Sequence, residues 1–117
     1  MNVKNVNIER LIELEESLEK GKELEDITEI EMYCLNLAKK MPLYDFLEER
    51  KNYVEKWYLI DEIKYSLYLM QKYSCTKEEL FDRCYTANKI RRYKERKMAS
   101  ILKEQRRMVK RINYYNK

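Results

Sequence analysis

An all-α bundle is the fold this sequence predicts, and three observations carry the expectation. Gly21 and Pro42 are the only glycine and the only proline in 117 residues, too few turn-formers for a sheet protein that must reverse between strands. Leu, Glu, Lys, Arg and Met, all compatible with helix interiors, are abundant in the remainder. Apolar residues recur every three or four positions in stretches separated by capping signals. One domain over residues 1–117 is expected, a small bundle of about four helices around one modest core. Its last element is a long basic amphipathic helix over 76–113, able to extend beyond the bundle.

The elements follow in order. Asn7 is placed to cap a first helix beginning at Ile8, with Leu11, Ile12, Leu14 and Leu18 on its apolar side and Gly21 after its end. Asp26 with Glu29 three residues on resembles a capping box, and Ile27, Ile30, Cys34, Leu37 and Met41 then recur at helical spacing. Pro42 closes that segment or opens the next. From Leu43 to Tyr73 the apolar rhythm suggests one central helix, with room for a break near Lys51 and Asn52, and Trp57 is the expected core anchor. Thr76 with Glu79 is a second capping-box pattern, opening a helix through Leu80, Phe81 and Cys84.

Charge is distributed unevenly. Residues 83–117 hold thirteen Lys and Arg against Glu95 and Glu104, a formal +11 in a chain of net charge +4. The acidic remainder includes Glu9, Glu13, Glu15, Glu16, Glu19, Glu23, Glu25, Asp26, Glu29 and Glu31, some of which can pair with the basic segment inside the monomer or on a second copy. A concentration of positive charge of this kind implies an anionic partner.

Within that segment Met98, Ile101, Leu102, Gln105, Met108, Val109 and Ile112 form one stripe at 100° per residue. Lys89, Arg92, Arg96, Lys103, Arg106, Arg107, Lys110 and Arg111 fall in one broad arc opposite it, while Arg91, Lys94 and Lys97 lie off the arc. An ordinary solvated helix mixes signs, because Glu to Lys pairs four residues apart support it. Here the arc is nearly free of acids, and its cations are candidates to meet phosphates along a nucleic-acid backbone.

The stretch from Ile60 to Met98 also invites comparison with a helix-turn-helix, with Thr76 to Leu80 opening the first helix and Lys89 to Lys94 the second. Arg83 to Asn88 lack the glycine common at such a turn and are equally compatible with an unbroken helix. Eleven tyrosines, most of them in the second half, add side chains suited to wet interfaces. Each is a core-margin residue or a platform for unpaired bases or a protein.

Several function classes lack residues. There is no histidine, no nucleotide-binding glycine loop, no metal-ligand cluster and no base beside a cysteine, so neither catalysis nor a cofactor is expected. Cys34, Cys75 and Cys84 cannot all pair within one chain, Cys34 reads as a small core residue, and no apolar run suits a leader or membrane span. A reduced cytoplasmic setting follows. Attachment to an anionic membrane is disfavoured on the ground that the apolar stripe is needed for packing and holds few large interfacial aromatics.

The expected function is a non-catalytic regulatory or accessory protein that binds DNA or RNA through the basic arc. The alternative is an adaptor or inhibitor that docks its basic, tyrosine-rich surface on an acidic or nucleic-acid-binding face of a larger protein. A homodimer is also expected, since Met98, Leu102, Gln105, Val109 and Ile112 approximate a heptad seam.

Overall fold

The computed structural model describes residues 2–56 and 62–115, with side chains for all of these except 50, 52–56, 62, 114 and 115. A 3-10 turn, Val3–Asn5, precedes five α-helices: α1 (Ile8–Glu19), α2 (Glu29–Lys40), α3 (Leu43–Lys56), α4 (Glu62–Tyr73) and α5 (Lys77–Tyr115). The fold is an all-α bundle with a long C-terminal helix, as the sequence predicts.

Local chemistry explains most of the boundaries. The Asn7 side chain accepts from the Arg10 amide at 3.1 Å and starts α1. Past its end Gly21 takes φ +68, and the Gly21 and Lys22 amides return to Leu18 and Ser17 at 3.1 and 3.0 Å. That pair of bonds is a Schellman closure, and its left-handed residue is the one place where this fold uses a glycine. Ser74 closes α4 in the same way at φ 51, with the Cys75 amide bonded back to Met70 at 3.1 Å.

The cap of α2 lies two residues later than its sequence signal suggests. Thr28, not Asp26, is the N-cap, and it exchanges bonds with Glu31 rather than pairing Asp26 with Glu29. Asp26 instead takes φ 54 in the loop before it, a conformation that short polar residues tolerate. The Thr76 signal is realised as read: Thr76 and Glu79 each satisfy the other's backbone amide, at 3.1 and 3.2 Å.

Pro42 opens α3, with its carbonyl accepting from the Phe46 amide at 2.9 Å. The expected break near Lys51 and Asn52 does not occur, because both lie inside α3. Trp57, the expected core anchor, and the join of the central stretch fall outside the described residues.

Leu11, Cys34, Leu37, Met41, Phe46, Leu69, Leu80, Ala87 and Ile90 pack into one buried cluster, which draws on all five helices. Val3 and Val6 from the N-terminal turn join them. Arg83 is also wholly buried, although the sequence pattern groups it with the basic tail. Its Nε donates to the Met41 carbonyl at 2.9 Å and its Nη2 to Glu15 Oε1 at 3.0 Å. The carbonyl it meets belongs to the residue that ends α2, where a cation complements the helix dipole.

Candidate nucleic-acid interface

The 39 residues of α5 form one continuous helix, about 58 Å long at 1.5 Å per residue, and the molecule's longest extent is 61 Å. No turn interrupts Arg83 to Asn88, so the chain has no helix-turn-helix at this position. Thr86 and Ala87, where a turn would fall, are buried interior residues of the helix.

The two halves of α5 have different surroundings. Leu80, Arg83, Thr86, Ala87 and Ile90 are buried against the bundle, Tyr93 and Lys94 are half-buried, and every residue from Glu95 to Asn113 is exposed. The bundle therefore ends at about Lys94, and the last described stretch of helix projects roughly 28 Å into solvent.

The buried half also sets the rotation of the projecting half. At 100° per residue Leu80, Arg83, Ala87 and Ile90 occupy the face that continues through Met98, Leu102, Gln105 and Ile112. Gripping α5 by that face leaves the opposite one outward from Arg92 onward, while Tyr85 and Lys89 on that side are half-buried. Lys89, Arg92, Arg96, Lys103, Arg106, Arg107, Lys110 and Arg111 thus share one side of the helix, over about 33 Å from first to last.

Partners divide the cations in the same way as position. Off the arc, Arg91 approaches Glu95 at 4.0 Å. Lys94 lies 5.5 Å from the centre of the Tyr44 ring and donates to its hydroxyl at 3.4 Å, and Lys97 lies 5.0 Å from the Tyr93 ring centre. A hydrogen bond to the Tyr93 hydroxyl, and behind it the carboxylates of Glu9 and Glu13, hold the Lys97 ammonium above its ordinary range.

On the arc, Lys89 is half-buried and sits 5.6 Å from the Tyr85 ring centre. The other seven are exposed, and among the described residues no carboxylate forms an ion pair with them. Their charge is available to an external anion.

Of the acids expected to lie beside the basic segment, Glu15 pairs with Arg83, and Glu9 and Glu13 reach the neighbourhood of Lys97. Glu31 pairs instead with Arg10 of α1, at 3.3 Å. These contacts place α1 antiparallel to α5, with its N-terminal end where α5 leaves the bundle.

None of the tyrosines with described side chains is exposed on the arc. Tyr85 and Tyr93 lie under Lys89 and Lys97, Tyr33 donates to Asp82 at 2.6 Å, and Tyr73 packs edge-on to Phe46. The well-exposed Tyr44 and Tyr68 belong to α3 and α4. Such an arrangement suits phosphate contact better than base stacking.

The apolar stripe holds a surprise. Beyond Lys94 it is uncovered by the described residues: Met98, Ile101, Leu102, Met108, Val109 and Ile112 are 47–57 % exposed. Intramolecular packing therefore no longer argues against a membrane surface. No described helix is long and apolar enough to cross a membrane. Among the described residues no group of three His, Cys, Asp or Glu side chains is placed to hold a metal ion. Comparison with protein families, curated proteins and solved structures finds no match, so the site is read from its own geometry.

Proposed function

We propose that this chain is a non-catalytic accessory or regulatory protein that binds nucleic acid along the outer face of α5. One observation carries the reading. The bundle grips the helix on the side opposite its basic arc, so seven exposed cations, with no carboxylate partner among the described residues, lie along one side of one continuous helix. Arg92, Arg96, Lys103, Arg107 and Lys110 follow one another at about 5–11 Å along the axis, a spacing that lets successive side chains reach successive phosphates. A helix also fits the major groove of B-form DNA, which is about 12 Å wide. Binding of this kind is led by charge and largely indifferent to sequence.

The second reading is an adaptor or inhibitor that docks on an acidic protein surface, and the bare apolar stripe beside the basic arc favours it. A two-sided helix of this design can lie in an apolar groove with an acidic rim.

Titration of labelled duplex DNA, single-stranded DNA and RNA at several salt concentrations separates the two. Nucleic-acid binding should weaken steeply with salt. Changing Arg92, Arg96, Lys103, Arg107 and Lys110 to Gln should lower both the affinity and the salt slope at unchanged helicity. The slope should fall by up to about one unit for each phosphate that the variant no longer neutralises. Attraction that is weak, unselective and gone by about 0.15 M salt would refute the proposal and favour the protein partner.

A further inference from the structure

The exposed stripe on the projecting half of α5 needs an occupant. Six large aliphatic side chains on one side of a helix, each about half in water, make a patch that monomers seldom leave open. It continues the face by which the same helix is already buried in its own bundle. We infer that a second copy of this chain covers it, with the two projecting helices antiparallel and Gln105 on the two-fold axis.

The spacing supports a helical partner of like kind. Met98, Leu102, Gln105, Val109 and Ile112 step alternately by four and three, the rhythm of a knobs-into-holes seam. The pattern also reads the same from both ends about Gln105: Met98 falls opposite Ile112, Ile101 opposite Val109 and Leu102 opposite Met108. A self-complementary patch is what a two-fold contact requires. The glutamine at its centre carries both donors and acceptors, so two copies of it satisfy each other.

Flanking residues and charge select the antiparallel arrangement. Antiparallel helices bring Ile101 and Met108, on one flank of the seam, together across the interface. A parallel pair would set those residues against Arg106 and Asn113 and would stack the two basic tips on each other. In the antiparallel pair, Lys110 and Arg111 of one copy arrive at the foot of the other copy's projecting helix. Glu9 and Glu13, both exposed on α1, whose carboxylates act on Lys97 through space, supply opposite charge.

Two heptads form a small interface, short of the roughly 800 Å² per partner of a standard one. The acidic foot and basic tip therefore contribute a needed share, and association should weaken as salt rises. Of each basic arc this pairing uses only Lys110 and Arg111, at the tip, and the remaining arc cations face away from the seam on both copies.

The test is sedimentation of the full chain over a wide range of protein concentration, at low and high salt. A reversible dimer is expected, weaker at high salt, and abolished in Leu102→Glu/Val109→Glu with helicity retained, since neither residue touches the bundle. Mixing Met98→Cys with Ile112→Cys chains under oxidising conditions should link position 98 to position 112, as identified by peptide mass spectrometry, while either variant alone should give no link at the new cysteine. A monomer at every concentration, a dimer untouched by the double Glu substitution, or a 98-to-98 link would overturn the inference. So would a monomer that binds anionic vesicles through the same stripe.

Discussion

Arg83 and Glu15 meet at 3.0 Å inside the bundle, the Arg83 side chain wholly buried and that of Glu15 13 % exposed. The pair joins α5 to α1. Arg83 Nη1 and Glu15 Oε2 have no protein partner, so the pair is only partly satisfied. A buried ion pair of this kind adds little net stability, yet losing one member strands the other's charge.

Arg83→Met should therefore destabilise the protein by about 3 kcal/mol, the scale expected when one member of a buried pair is removed. Glu15→Met should cost a similar amount. The double Met variant should recover a large part of the loss, because both desolvation penalties disappear together. Chemical denaturation of the four proteins provides the cycle, and strictly additive losses would show that the two side chains do not act on each other.

Acid should loosen two helix starts. Glu31 and Glu79 accept from the Thr28 and Thr76 backbone amides, and these bonds first, then Arg10 and Lys40 in turn, hold both carboxyls below their ordinary range. A depressed folded value means that the unfolded chain takes up protons first as pH falls. The contribution is complete above the unfolded value of 4.5 and is lost as pH drops through the lower folded values. Thermal unfolding followed from about pH 6 to pH 3 should show a falling midpoint, and Glu31→Gln/Glu79→Gln should make the fall shallower. At neutral pH, Thr28→Ala should cost about 1 kcal/mol through the missing cap.

Ser74 occupies a left-handed position, φ 51, that favours glycine. Ser74→Gly relieves that strain but gives the unfolded chain more freedom, and the first effect is the larger. A gain of about 0.5 kcal/mol is expected. A loss in the denaturation midpoint would mean that the serine side chain contributes to the closure of α4.

Thiol reactivity should follow burial. The Cys34 thiol is pushed up to about 11, chiefly by burial and then by the nearby Glu15 carboxylate, and burial raises Cys75 as well. A maleimide at neutral pH should label Cys84 first, since it is only half-buried, and should reach Cys34 at a rate set by unfolding. Prompt labelling of Cys34 in the native protein would contradict its place in the core.

Local sequence is enough for the helical class, the caps at Asn7 and Thr76, the closure at Gly21 and the two-sided character of the last helix. Each depends on residues at most a few positions apart, where periodicity and hydrogen bonds to the local backbone decide the outcome. Other features depend on how distant segments pack. Arg83 reads as one more cation of the tail, and only the approach of Met41 and Glu15, 42 and 68 residues away, makes it a core residue. Asp26 and Thr28 both offer caps, and Thr28 prevails where Glu31 is also buried and paired with Arg10. Most of all, periodicity marks the same apolar face from Leu80 to Ile112 without saying where its cover ends. That depends on how far the other helices reach, and here they stop near Lys94.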